Sequence, residues 1–365
     1  MIRILQCVNN MHRAGLETML MNYYRNIDRT QIQFDFLTHR PNRSDYDDEI
    51  ESLGGKVFYA PRLYPQNYHK YFLYMREFFE EHPEYKIMHS HIDTMSYLPL
   101  LAGKKAGIPV RIAHSHNTAI DKDFKYPLKQ YFRSKIKSVA NTFLACGEDA
   151  GRFLFGDSEF KVIPNAVEAI KFQFNEKLRL DKRKELGITD EFVVGHIGRM
   201  SYQKNHKQLI EIFKEVLCLD SKAVLLLIGI GEKEREIRKQ IKALGIEDNI
   251  RFLGNRSDVC ELYQAMDIFV LPSLFEGIPL VGVEAQFANL PCVFSDTISR
   301  EVEFAKNSRF ISLEVPAHIW ASEILKYKNQ QRGITNQNIM NSIYDIKIGH
   351  RVLTDFYMDI LSRHE

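Results

Sequence analysis

Apolar residues along this chain follow two rhythms. Short runs rich in Val, Ile, Leu and Phe stand at 2–8, 33–37, 57–59, 87–91, 110–114, 142–146 and 161–163. They recur at 192–197, 223–228, 250–253, 268–271, 292–294 and 309–311. Between them apolar positions return at helical spacing, as over 71–81 and 126–139. Strands alternating with helices build parallel sheets with helices on both faces. The alternation runs twice, and the polar stretch 168–190 between the two passes holds no strand candidate. The chain therefore reads as α/β, with two Rossmann-like doubly wound domains at 1–167 and 168–345. A last segment, 346–365, carries Val352, Leu353, Phe356 and Ile360 at helical spacing. In doubly wound sheets ligands bind beyond the carboxyl ends of the strands. Two such domains facing across a cleft are expected to hold a ligand between them.

Composition narrows the class. At 365 residues the chain exceeds one ordinary core. Its 45% hydrophobic and 26% charged residues are those of a globular protein, and a net charge of +2 does not argue for nucleic acid as a partner. Cys7, Cys146, Cys218, Cys260 and Cys292 form no CxxC pair and sit mostly in apolar runs, which reads as reduced core thiols. The first residues lack the basic flank and length of a signal peptide. The most apolar stretch, 224–230, is far short of the roughly 20 residues that span a bilayer. A cytoplasmic protein is expected, at most resting on a membrane surface.

Candidate chemistry concentrates in the second half. Leu271-Pro272-Ser273-Leu274-Phe275-Glu276-Gly277-Ile278-Pro279-Leu280 leaves a strand, turns, and starts a helix near Leu280. Backbone amides at Gly277, Ile278 and Leu280 would meet a phosphate or sugar oxygen there. Glu276 in the turn and Glu284 about one turn into the helix are acceptors for sugar hydroxyls, or else belong to a capped, solvated helix start. Upstream, Gly198-Arg199 and Lys204 follow the first strand of the second half. Cations at that place clamp a diphosphate, Arg through its fork and Lys as a point charge. Either one alone reads as a solvated loop cation.

Gly198-Arg199, then Lys204, then Glu276 and Glu284 spaced E-x7-E resemble the retaining glycosyltransferases of family 4. Ile163-Pro164-Asn165 at the domain junction and Phe252-Leu253-Gly254 extend the resemblance over nearly the whole chain. It implies the B-type fold of two Rossmann-like domains. It also implies that Arg199 and Lys204 hold the donor pyrophosphate, Glu284 the ribose hydroxyls and Glu276 the hydroxyls of the transferred sugar. The turn Gly254-Asn255-Arg256 would lie near the base, and the loop at Gly15, which opens a helix, near a phosphate. A histidine after the fifth strand would face the donor sugar, with His116 the first choice and His114 the second. Two departures stand out. Pro279 replaces a glycine of the commoner E-G-F-G-L-P turn and removes one backbone donor, and Ala14 stands where a second glycine is usual.

The histidines form two HxH pairs, His89/His91 and His114/His116. Alternate strand residues share a face, so each pair offers two metal ligands. With no cysteine or carboxylate cluster to complete either pair, hydrogen-bonded histidines and no metal site are expected. Residues 122–137 interleave Lys and Arg with Phe and Tyr, as in a helix lying on an anionic membrane or one whose aromatics face its own core. Gly229-Ile230-Gly231 lacks the third glycine of a dinucleotide fingerprint.

The expected activity is retaining transfer from a nucleoside-diphosphate sugar, uridine by resemblance, to a glycan or lipid-linked acceptor in surface polysaccharide synthesis. The nucleotide sugar is a co-substrate, and no cofactor is implied. Within the same fold a nucleotide-sugar 2-epimerase competes, and from another class a non-catalytic sugar-nucleotide-binding subunit. The complete set of Arg199, Lys204, Glu276 and Glu284 speaks against the latter.

Overall fold

The computed structural model describes residues 1–121, 123–333 and 337–362. Lys122 and residues 363–365, at the ends of two segments singled out above, lie outside the described residues. The chain forms two compact units: Met1–Ala166 with the helix that begins at Ile346, and Val167–Asp345.

Among the described residues the first unit holds seven parallel strands: β1 (Ile2–Val8), β2 (Ile32–Thr38), β3 (Val57–Tyr59), β4 (Ile87–Ser90), β5 (Val110–Ser115), β6 (Thr142–Ala145) and β7 (Lys161–Val162). The second holds six: β8 (Val193–Ile197), β9 (Val224–Ile228), β10 (Ile250–Gly254), β11 (Ile268–Leu271), β12 (Cys292–Ser295) and β13 (Ser308–Ile311). Every run expected as a strand is one, with ends shifted by no more than one residue. The agreement has a physical cause. Strands covered on both faces need apolar side chains at successive positions, as in the wholly buried Val-Leu-Leu-Leu-Ile of β9.

The sheets run β3-β2-β1-β4-β5-β6-β7 and β10-β9-β8-β11-β12-β13. Both orders reverse direction beside their first strand, between β1 and β4 and between β8 and β11. Loops leaving neighbouring carboxyl ends there diverge to opposite faces and leave a crevice for a ligand. In the first unit Leu5, Leu37, Met88 and Ala113 pack against Tyr71, Met75, Phe78 and Phe132. In the second, Leu225, Leu227, Val270 and Val293 pack against Leu209, Phe213, Ile241 and Trp320.

The polar stretch after residue 168 is not a bare linker. Its helix, Glu176–Glu185, is capped by the Asn175 side chain, which accepts from Leu178 N–H at 3.0 Å. Lys182 in that helix is buried and pairs with Asp258 at 2.8 Å, tying the stretch to the second unit. The final helix, Ile346–Ser362, buries Leu353 and Tyr357 in the first unit and packs on the helix Gly15–Asn26. Tyr357 meets Phe34 of β2 edge to face at 5.9 Å. Of the five cysteines, Cys7, Cys146 and Cys292 are buried, Cys260 is half-buried, and Cys218 is exposed, against the expectation of core thiols.

Candidate active site

In the second unit the chain leaves β8 through Gly198 and runs beside the end of β9. Gly198 N–H donates to Ile228 O at 2.9 Å and Met200 N–H to Ile230 O at 3.0 Å. A Cβ on Gly229 would come within 2.2 Å of Gly198 O, and one on Gly231 within 2.4 Å of Met200 O. Gly229 also holds φ at +127°, a region that only glycine enters freely. Gly229-Ile230-Gly231 is thus the backbone bed of the Arg199 loop. It is not a truncated dinucleotide motif.

The same loop crosses to the end of β11. Leu274 N–H donates to Gln203 O at 2.8 Å, and Asn205 Nδ2 to Pro272 O at 3.1 Å. These ties bring together the two segments that sequence kept apart. Lys204 Nζ lies 2.6 Å from Glu276 Oε1, and Gln203 Nε2 lies 3.2 Å from Glu276 Oε2. The cation proposed for a phosphate and the carboxylate proposed for a sugar therefore neutralise each other. Gln203 was not singled out from sequence, and nothing but its position one residue before Lys204 hints at it. Arg199 is exposed and has no ion-pair partner among the described residues.

Glu284 is buried in the helix Leu280–Phe287. Tyr263 Oη stands 2.9 Å from both Glu284 Oε2 and Val281 O. One phenolic proton serves one acceptor. Directed at Glu284, that proton is donated to the carboxyl oxygen and favours its ionised form. Burial pushes the Glu284 carboxyl up to about 7, against the lowering effect of the Tyr263 hydrogen bond. Pro279 occupies the cap position before this helix, and Gly277, Ile278 and Leu280 are buried. The Ile278 and Leu280 side chains fill the interior, so a ligand would meet these residues only through backbone. Gly254 ends β10 with φ at 66° and Asn255 is exposed. Arg256, expected near a base, is committed to Asp258 at 2.6 Å and Glu185 at 3.2 Å.

In the first unit Gly15 is exposed at the start of its helix. The preceding loop is tethered by Arg13 N–H donating to Asp45 Oδ2 at 3.0 Å. The histidines depart most from the sequence reading, which treats them as two separate pairs. β4 and β5 are neighbours in the register His89↔Ile112 and Ser90↔Ala113, so the two pairs share one sheet face. His89 Nε2 lies 3.1 Å from His114 Nδ1, and His91 Nδ1 lies 3.0 Å from His116 Nε2. His89, His91 and His114 are buried, whereas His116 is half-buried and so the more accessible of the two sugar-facing candidates. Burial holds the imidazole of His116 down at about 3 and the other three well below 6.5, so all four rings are neutral near pH 7. Asp93 places this rim. Its Oδ1 accepts from His116 N–H at 2.8 Å and its Oδ2 from Asn117 Nδ2 at 2.7 Å. It does so from a left-handed φ of 46°, unusual for a non-glycine residue and typical of functional loops.

Two units of doubly wound parallel sheet with cations and carboxylates at their strand ends define the glycosyltransferase B-type fold. Residues 13–169 match Glycosyltransferase Family 4 and residues 179–331 match Glycosyl transferases group 1. A Bacillus subtilis (strain 168) protein carrying the glycosyltransferase name EpsF is 36% identical over 334 residues, spanning 89% of this chain and 87% of that one. The chain belongs to this family of glycosyltransferases. The capsular polysaccharide biosynthesis glycosyltransferase CapH of Staphylococcus aureus is 24% identical over 98% of this chain and 99% of its own. Among solved structures, Anabaena HepE in complex with UDP-glucose superposes with a TM-score of 0.80 at 19% identity, covering 98% of this chain and 100% of that chain. Among the described residues no helix is long and apolar enough to cross a membrane.

Proposed function

We propose that the chain transfers a hexose from a UDP-sugar, with retention of anomeric configuration, to a glycan or lipid-linked acceptor in surface polysaccharide synthesis. The observation that carries this reading is the contact of Lys204 with Glu276 at 2.6 Å, at the paired carboxyl ends of β8 and β11. A donor entering there exchanges one internal ion pair for two contacts, diphosphate on Lys204 and sugar hydroxyls on Glu276. Arg199, exposed on the same loop, is the second phosphate ligand. Glu284 takes the ribose hydroxyls, and Gly198, Gly277, Ile278 and Leu280 supply backbone. Gly254 and Asn255 border the base, with Arg256 bracing that turn through Asp258. In the first unit, His116 with His114 behind it is assigned to sugar hydroxyls, and the Gly15 helix start to a phosphate.

The chemistry asks for positioning and charge stabilisation. The bond from the anomeric carbon to the diphosphate breaks as the acceptor oxygen attacks from the same face. The departing phosphate oxygen takes the acceptor proton. Arg199 and Lys204 neutralise the leaving diphosphate where other transferases use a metal ion held by an Asp-x-Asp motif, which residues 168–345 lack. Relatives support the donor and the setting. One, 30% identical over 58% of this chain, is named a UDP-Gal:alpha-D-GlcNAc-diphosphoundecaprenol galactosyltransferase from Escherichia coli. A lipid-linked acceptor favours a cytoplasmic enzyme peripheral to the plasma membrane, resting through residues 122–137, where Phe124 is 88% exposed.

The test is a panel of nucleotide sugars followed by thermal shift and diphosphate release, with the product anomer read by NMR. UDP-sugars are expected to bind best, and turnover is expected to survive chelator. Preference for another nucleotide, an inverted product, or loss of turnover restored by magnesium would each overturn the corresponding part.

A further inference from the structure

The transferase reading uses His116 at the rim of this histidine cluster, with His114 behind it. Behind the rim stand three buried imidazoles with an arrangement of their own. One ring nitrogen from each of His89, His91 and His114 lies within 4.8 Å of the others. The His89–His114 and His91–His116 nitrogens approach to 3.1 and 3.0 Å. Two imidazole nitrogens on one tetrahedral zinc ion stand about 3.3 Å apart, given Zn–N bonds of about 2.0–2.1 Å. A cation in place of the shared protons would thus need shifts of only a few tenths of an ångström within each pair.

The nitrogens facing away from the cluster are held as second-layer groups hold metal ligands. His91 Nε2 is 2.8 Å from Gln6 Oε1, and His89 Nδ1 is 2.6 Å from Tyr357 Oη. Gln6 Nε2 in turn donates to Tyr357 Oη at 3.2 Å. Gln6 Oε1 can only accept, so His91 carries its proton on Nε2 and turns the lone pair of Nδ1 into the cluster. Outer partners of this kind orient the ligating ring and raise its basicity. His114 Nε2 is buried with no hydrogen-bond partner among the described residues. With Nδ1 as its inward, ligating atom, His114 carries its proton on this second nitrogen. The Asp93 oxygens are taken by His116 N–H and Asn117, so the inward donors are all imidazole nitrogens. That set suits late first-row cations and not magnesium or calcium.

We propose that His89, His91 and His114, with His116 as fourth ligand at the accessible rim, form a binding site for one late first-row divalent cation of the zinc class. The site lies within the first unit and rests on ring geometry, independently of the transferase reading. Occupancy withdraws His116 from any sugar, so the cation acts as a brake on the enzyme rather than as part of its chemistry.

The probe is cobalt(II), titrated into tag-free full-length protein stripped with chelator. One equivalent is expected to give the visible absorption of four-coordinate cobalt, bleached by one equivalent of zinc, with X-ray absorption counting three or four imidazoles. His91→Gln and His114→Gln are expected to lose the signal. His206→Gln, which removes a buried histidine of the second unit, is expected to keep it. Folded wild-type protein that takes up no cobalt or zinc at micromolar concentration overturns the site, as do fewer than three imidazole ligands. A signal that survives both cluster substitutions overturns it too. Should those variants fail to fold, the wild-type stoichiometry and ligand count decide alone.

Discussion

Lys204 Nζ and Glu276 Oε1 meet at 2.6 Å although 72 positions separate them, and their side chains are only 14% and 9% exposed. A pair so far out of water gains little over an apolar substitute, but breaking it strands the remaining charge. Lys204→Met and Glu276→Gln are each expected to cost about 3 kcal/mol of stability. The double substitution should cost clearly less than the sum. Urea denaturation of the four proteins checks this, and additive losses would mean the contact does not couple the two loops.

Arg199 makes the opposite case. Exposed and without an ion-pair partner among the described residues, it contributes little to the fold, and Arg199→Ala should change stability by no more than about 0.5 kcal/mol. Affinity for UDP should fall by about 1.5–3 kcal/mol, the range for a lost charge-assisted contact. Calorimetry reads both. Unchanged UDP affinity would remove Arg199 from the diphosphate.

Glu284 predicts a pH dependence whose sign follows from its burial. Its carboxyl is raised from 4.5 to about 7 in the folded protein. Between those values the folded state keeps a proton that the unfolded chain has lost. Stability from this group is therefore present below about pH 4.5 and declines as pH rises toward 7, by about 3 kcal/mol in all. A ribose donating two hydroxyls needs the ionised form, so UDP-sugar affinity should rise through pH 7 while stability falls. Tyr263→Phe removes the hydrogen bond that lowers the carboxyl and should move both transitions to higher pH. Glu284→Gln should abolish both. Using a UDP-sugar instead of UDP keeps the terminal phosphate from titrating in the same window. A flat affinity profile in the wild type would take Glu284 away from the ribose.

What sequence could and could not say follows from the range of each interaction. The thirteen strands were legible because burial on two faces writes itself into consecutive residues such as Val224–Ile228. Arg199, Lys204, Glu276 and Glu284 were legible as residue types in the segments that follow β8 and β11. Their pairing was not, since Lys204 reaches Glu276 only because β11 lies beside β8 rather than beside β10. The histidines show the same limit. Each HxH is visible as a period-two pattern, but joining them depends on the β4–β5 register, and Tyr357 reaches His89 across 268 positions. Gln203, Tyr263 and Asp93 carry no local signature, and Gly229-Ile230-Gly231 misleads because close backbone packing selects glycine as strongly as a phosphate does.

The proposed membrane contact depends on which cations of residues 123–137 are available. Lys129 Nζ is 2.9 Å from Asp123 and its side chain is 16% exposed. Arg133 donates to Phe153 O at 2.8 Å and lies over the Phe153 ring at 4.3 Å. Both therefore serve the fold of the first unit, and Phe132 between them is buried. Lys135 and Lys137 are exposed, and Phe124 and Tyr131, 88% and 53% exposed, are the apolar groups free to insert. The helix Tyr126–Lys135 thus turns one part of its aromatics and cations inward and another toward solvent. At about 1 kcal/mol per basic residue near an anionic surface, Lys135→Gln with Lys137→Gln should weaken binding to anionic vesicles by about 2 kcal/mol, roughly 30-fold. Phe124→Ser should weaken it further and make what remains more sensitive to salt. Lys129→Gln should leave vesicle binding nearly unchanged while lowering stability slightly. Equal sedimentation of the wild type with neutral and anionic vesicles would mean that these side chains face a protein or solvent instead. A larger loss from Lys129 than from Lys135 and Lys137 would place the membrane on the opposite side of the helix.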